Sequence, residues 1–162
     1  MSHSLTKVWI HGVWSTKDRT VLLKKAFRSK ALQHIQEKFD EINCPAQVIN
    51  GTSDHIHVLF LLNSDKCVAE VIKMVKGESS HWINQHDFLK VKFAWQVGYC
   101  GLSVSESRLK QVEMYIRNQE KHHRKMTFQE EYNYFLEKCG LSKIDKSVVG
   151  ILGEGYPRMN KT

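Results

Sequence analysis

His55 and His57 stand two residues apart at the head of residues 52–63, which read Thr-Ser-Asp-His-Ile-His-Val-Leu-Phe-Leu-Leu-Asn. The run 58–62 is short, apolar and rich in strand formers, with polar residues at both ends, and this predicts a buried strand. On a strand, residues two apart share a face. Both imidazoles then point one way and Ile56 points into the core. Two imidazoles side by side on a rigid strand make half of a divalent-metal site. Nine histidines in 162 residues make a chance His-x-His pair common, so the pair needs partners elsewhere.

Tyr115 and Gln119 offer themselves, in the segment Glu-Met-Tyr-Ile-Arg-Asn-Gln at residues 113–119. Four apart on a helix, they share a face about one turn apart. A tyrosine is a capable oxygen nucleophile once deprotonated, and an amide carbonyl is a competent ligand for a hard metal. Two histidines and one amide oxygen leave coordination positions for a phosphate oxygen, which a metal would polarise. The plainer alternative is that Tyr115 packs at a helix–sheet contact and Gln119 is solvated.

The elements that must carry these residues can be read in order. Residues 7–14 alternate loosely around Val8, Ile10 and Val13 and predict a first strand. Apolar residues from Phe27 through Ala31, Leu32, Ile35 and Phe39 to Ile42 recur at helical spacing, predicting a helix over 26–42. Asn43-Cys44-Pro45 stops it. A second strand over 46–50 and a turn at Asn50-Gly51 lead into the histidine strand as an antiparallel neighbour. A second helix covers 66–85, with an interruption expected at Gly77-Glu78-Ser79-Ser80. Residues 91–104 read as mostly extended, with a turn or bulge at Gly98 and Gly101. A third helix covers 105–124. A fourth starts at Thr127, whose capping box is completed by Glu130, buries Phe128, Tyr132, Phe135 and Leu136, and ends at Gly140. The order β-α-β-β-α-β followed by two helices predicts an α+β, ferredoxin-like (split βαβ) antiparallel sheet with additional C-terminal helices. Such a sheet has helices on one face and leaves the other open. Residues 1–140 read as one domain and 141–162 as a tail.

Composition adds constraints. The net charge is +7 with a pI of about 9.2, which favours a polyanionic partner, although a small basic protein can be merely soluble. The candidate nucleic-acid contacts are Lys17, Arg19, Lys73, Lys76, Arg117 and Lys121; for the cluster that includes Lys17 and Arg19, a solvated helix face is an equal explanation. No apolar run approaches the roughly 18 residues that span a bilayer, and residues 1–7 lack a signal-peptide apolar segment. A soluble, cytoplasmic protein without membrane partners is the expectation. Cys44, Cys67, Cys100 and Cys139 form no C-x-x-C pair and read as reduced core cysteines.

Taken together and in order, these motifs resemble the single-tyrosine HUH transposases of single-strand insertion sequences and the related repeat-associated tyrosine transposases. The matching pieces are Val13-Trp14-Ser15-Thr16-Lys17, Asp54-His55-Ile56-His57, Lys76-Gly77-Glu78-Ser79-Ser80, and Gly98-Tyr99 through Ser103-Val104-Ser105. Tyr115-Ile116-Arg117-Asn118-Gln119, His122-His123 and Thr127-Phe128-Gln129-Glu130-Glu131 follow. The resemblance covers about residues 5–140. It implies Tyr115 as nucleophile, His55, His57 and Gln119 as metal ligands, and Mg²⁺ or Mn²⁺ as cofactor. It further implies cleavage and rejoining of single-stranded DNA at hairpin-marked element ends through a 5′-phosphotyrosine, by a homodimer. Asp18 departs from the family pattern, which usually has an aromatic residue there. A flexible stretch over 98–105 before the tyrosine helix, together with the resemblance, predicts that this helix is swapped between protomers.

Two other readings remain open at this stage. A ferredoxin-like sheet with exposed aromatics is also how RNA-recognition domains bind single strands, but the strands carry no aromatic-rich ribonucleoprotein motif. A domesticated relative that binds single-stranded or hairpin nucleic acid without cutting it is the second; the intact His, His, Tyr and Gln set argues for activity.

Overall fold

The computed structural model describes residues 3–138. Four strands form one sheet in the order β2-β3-β1-β4, every neighbouring pair antiparallel. They are β1 (Val8–Ser15), β2 (Ala46–Gly51), β3 (His55–Leu62) and β4 (Cys100–Val104). The helices are α1 (Lys25–Glu41), α2 (Val68–Gln85), α3 (Leu109–Arg117), α4 (Gln119–His123) and α5 (Phe128–Lys138). The α+β class and the order of the first six elements are as the periodicities predict.

β3 organises the molecule. It is a central strand, paired with β1 on one side and β2 on the other, and its two faces meet different surroundings. Ile56, Val58 and Phe60 are fully buried in the main core with Ile10 and Trp14 of β1, Phe27, Ile35 and Phe39 of α1, and Ile72 and Val75 of α2. α1 and α2 therefore pack on one face. α1 ends as its sequence predicts: Asn43 takes φ 56°, a left-handed position that asparagine tolerates, and Pro45 follows.

The opposite face is not open. α3 lies across it, with Ile116 packed on Val48 of β2 and Leu59 of β3, and Leu109, Val112 and Tyr115 around them. The Asn50 side chain donates to the Ile116 and Arg117 carbonyl oxygens at 2.9 and 3.1 Å. Those carbonyls belong to the last turn of the helix, where a strand residue adds a hydrogen-bond partner. Within this chain α3 docks on the chain's own sheet. The segment before it is a 3-10 turn over Glu106–Arg108, and it returns the chain directly to this face.

Three element boundaries also differ from expectation. α2 runs unbroken through Gly77–Ser80, because its buried stripe of Val71, Ile72, Val75 and Ile83 holds it on both sides of the glycine. Only Cys100–Val104 of residues 91–104 is strand; upstream, Trp95 makes a lone bridge to Thr16. The third helix breaks at Asn118 (φ −98°, ψ 19°), so α3 and α4 are separate. Thr127 and Glu130 close the capping box at the start of α5, with bonds of 2.7 and 3.3 Å. Tyr132 is buried as expected. The side chains of Phe128, Phe135 and Leu136, and Cys139, Gly140 and the 141–162 tail, lie outside the described residues. Of the described cysteines Cys44 is buried, but Cys67 is exposed and Cys100 half-buried, so the all-core expectation holds only for the first.

Candidate metal and nucleophile site

The site forms where β3, α3, α4 and α5 converge. The hairpin before β3 is tight: a Cβ at Gly51 would stand 2.5 Å from the His55 carbonyl oxygen, closer than real atoms approach, so only glycine fits. Thr52 N–H donates to that same oxygen at 2.9 Å. His55 and His57 then point off one face of β3, both fully buried.

Each imidazole is held from behind. His55 Nδ1 lies 2.7 Å from Asp54 Oδ1 and 2.9 Å from Thr52 Oγ1. His57 Nδ1 lies 2.9 Å from Nε2 of His11, a buried residue of β1. Nε2 of both rings faces Glu131 of α5, at 3.6 Å for His55 and 3.4 Å for His57. The three residues bring one ligand atom each to within 4.8 Å of one another.

Glu131 is the centre of this cluster. Its Oε1 accepts the Tyr115 hydroxyl and, at 3.1 Å, the Gln119 amide N–H. Its Oε2 lies 2.7 Å from His123 Nε2. Tyr115 stacks on His122 at 4.6 Å between ring centroids and meets the His57 ring edge-on at 6.0 Å. Tyr115 and Gln119 are therefore brought beside the two histidines, although they sit on either side of the Asn118 break.

The electrostatics follow from burial and from this carboxylate. Burial pushes the Glu131 carboxyl up, but bonds from His123 and His55 and the charge of His57 outweigh it and hold it far below the usual range. Burial drives His57 well below the ordinary histidine value and His11 down to about 4. His55 moves the other way: burial opposes its charge, yet Asp54 and Glu131 raise it. The Tyr115 hydroxyl is pushed up, first by burial and then by its bond to Glu131.

The donor set suits a divalent ion. Two imidazole nitrogens and a carboxylate oxygen converge. In addition, the Gln119 carbonyl oxygen is buried and receives no hydrogen bond from the described residues. A buried carbonyl without a donor is costly unless something cationic faces it. Mixed nitrogen and oxygen ligands of this kind serve first-row divalent ions, and oxygens serve Mg²⁺.

The six basic candidates divide. Lys17, Lys73 and Lys121 are exposed. Arg19 lies 3.6 Å from Asp54, beside the His55 ring, and Arg117 is paired with Glu113 at 2.6 Å. The Lys76 ammonium bonds the Gln96 and Gly98 carbonyls at 2.7 and 2.6 Å. It braces the segment before β4 instead of facing solvent, and burial lowers it to about 8.

Sequence reasoning gave no role to Glu131, His123, His11, Thr52 or Asp54. Glu131 stands on a different helix from Tyr115, and nothing in local spacing links them. Asp54 had a signal, since a carboxylate next to a histidine pair is the usual orienting partner of a metal ligand.

Fold and site together define an α+β protein with a histidine-rich polar centre, of the kind that holds a divalent ion, buried between a sheet and an added helical layer. The family described as "Transposase IS200 like" matches residues 4–119, and the chain belongs to this family of transposases. No curated protein matches it. Among solved structures it resembles a candidate transposase of Deinococcus radiodurans R1, at 22% identity and a TM-score of 0.60, over 74% of this chain and 95% of that one. It also resembles a REP-associated tyrosine transposase bound to a REP hairpin, at 18% identity and a TM-score of 0.55, over 76% of this chain and 74% of that one. At these identities the two likenesses establish the fold. Among the described residues no helix is long and apolar enough to cross a membrane.

Proposed function

We propose that this chain cleaves and rejoins single-stranded DNA at the ends of an insertion sequence, through a metal-dependent 5′-phosphotyrosine on Tyr115. The observation that carries the reading is the convergence of the Tyr115 hydroxyl, both histidines and Gln119 on one buried carboxylate. His55, His57 and Gln119, with Glu131 added, would hold Mg²⁺ or Mn²⁺. A divalent ion there would polarise the scissile phosphate and offset charge on the departing sugar oxygen.

The Tyr115 oxygen attacks phosphorus and the bond from phosphorus to the 3′ oxygen breaks. The tyrosine proton passes to its hydrogen-bond acceptor, Glu131, and the 3′ oxygen leaves and is protonated. Rejoining reverses this, with a 3′-hydroxyl displacing the tyrosine. The phosphodiester energy is kept in the covalent link, so no nucleotide cofactor is needed. Exposed Lys17, Lys73 and Lys121 supply phosphate contacts, with Arg19 and Arg117 available at the margins of the site. The hairpin in the REP-associated relative supports a folded-back single strand as substrate. The assembly we infer is a cytoplasmic homodimer in which each α3 serves its own sheet.

The test is incubation of labelled single-stranded hairpin DNA with the protein and Mg²⁺ or Mn²⁺, followed by a denaturing gel. A covalent adduct is expected. Hairpin binding without any adduct would replace this reading with a non-catalytic binding protein.

A further inference from the structure

His11 lies on β1, beside β3 in the sheet, opposite Leu59 in register. It is a buried polar side chain in a strand whose other neighbours are apolar or aromatic, and the reaction proposed above gives it no task. Its Nε2 stands 2.9 Å from Nδ1 of His57, with ring centroids 5.2 Å apart.

Two buried imidazole nitrogens at that distance share one proton, and its location decides what His57 can do. With the proton on His11 Nε2, neutral His57 carries its own proton on Nε2, the nitrogen that faces Glu131. No lone pair then points into the cluster. With the proton on His57 Nδ1, His11 accepts, and His57 Nε2 offers its lone pair to a metal. His55 has a different arrangement, since its Nδ1 is held by a carboxylate, Asp54, which at neutral pH can only accept.

We propose that His11 is a positioning residue: as the hydrogen-bond acceptor for His57 Nδ1, it fixes the ring and the tautomer that make His57 a metal ligand. This rests on the reading that His55 and His57 hold a divalent ion. A neutral imidazole performs for His57 the task that Asp54 performs for His55, without adding a further negative charge. The site already holds Asp54 and Glu131, and a DNA phosphate must approach it. A third carboxylate would oppose that phosphate.

The test compares full-length wild type with His11→Gln, which keeps an acceptor at the position of Nε2, and His11→Leu, which does not. Binding of Mn²⁺ alone is measured by calorimetry, and the histidine tautomers are read from imidazole nitrogen shifts with Mg²⁺, the His57 signals being assigned with His57→Ala. His11→Leu should weaken Mn²⁺ binding by about tenfold or more. His11→Gln should bind close to wild type, and His57 should carry its proton on Nδ1 in wild type and His11→Gln. Equal Mn²⁺ affinity in folded His11→Leu would overturn the role of His11 and leave the metal site standing. So would a His11→Gln variant as weak as His11→Leu, or a wild-type His57 protonated on Nε2 with Mg²⁺ bound. Wild type that binds no Mn²⁺ at all would overturn the metal reading and this inference together. If His11→Leu does not fold, the wild-type tautomer and the affinity of His11→Gln decide.

Discussion

The two faces of β3 are made from one eight-residue strand and do opposite work. On one face Ile56, Val58 and Phe60 are closed into apolar packing against α1 and α2. On the other, His55 and His57 are equally buried but surrounded by Asp54, Thr52, His11, Glu131 and Gln119. The period of two lets a single strand carry a rigid core and a polar centre side by side. A histidine on this strand cannot swing away, because its neighbours on either side are locked into the core. The rigidity is what a preorganised site requires, and the cost of burying so many polar groups is carried by the apolar face.

If the faces divide the labour in this way, changes on the site face should abolish chemistry, and changes on the core face should lower stability. The largest expected effect is Tyr115→Phe. Removing one oxygen should eliminate cleavage and the covalent adduct while leaving hairpin binding within about twofold. An adduct formed by this variant would move the nucleophile elsewhere, Tyr99 being the alternative to examine.

Next in size is a mixing experiment. Tyr115→Phe and His57→Ala chains, tagged and allowed to exchange, should stay inactive together, because α3 docks on its own sheet and each chain carries a broken site. Activity that reappears in proportion to mixed dimers would mean that the helix swaps in solution.

On the core face, Phe60→Ala should cost about 3–5 kcal/mol, read by denaturant unfolding. Whatever protein remains folded should bind Mn²⁺ with the wild-type constant. A matching fall in affinity would show that the faces are not independent.

His11 gives the comparison a pH signature. Its folded value of about 4 lies below the unfolded 6.5, so between those pH values the unfolded chain binds more protons. Stability should therefore fall as pH drops from about 6.5 to about 4, by roughly 3 kcal/mol at most. His11→Gln should lack this component when the two metal-free proteins are compared by unfolding at each pH. Identical slopes would mean that His11 titrates normally. The smallest effect is Thr127→Ala, which removes the α5 cap and should cost about 1 kcal/mol, seen as faster amide exchange over Phe128–Lys138.

Much of the apolar face was legible in the sequence, because periodicity reports which residues point inward. The 3.6-residue stripe of α1, the short apolar run of β3 and the Thr127–Glu130 box all form as local patterning dictates. The site face was legible only in part. The pairing of His55 with His57 follows from alternation alone, but His11 joins them only once β1 is known to lie beside β3. Glu131 arrives through the bonds that α5 makes to α3, α4 and β3, and no spacing between residues 119 and 131 encodes that. The break at Asn118 was hidden because asparagine is neither a strong helix former nor a strong breaker. The docking of α3 was not legible either: the glycines before it suggested a long reach, and only the fold brings Asn50 to its carbonyls.

That Asn50 clasp has a kinetic meaning. It fastens the tyrosine helix to the sheet that bears the histidines, so in this arrangement a single folded chain would carry an assembled centre. Assembly would then be a first-order event that dilution does not undo. Turnover per chain would stay constant as the protein is diluted, whereas a centre shared between two chains would fall apart below its dissociation constant.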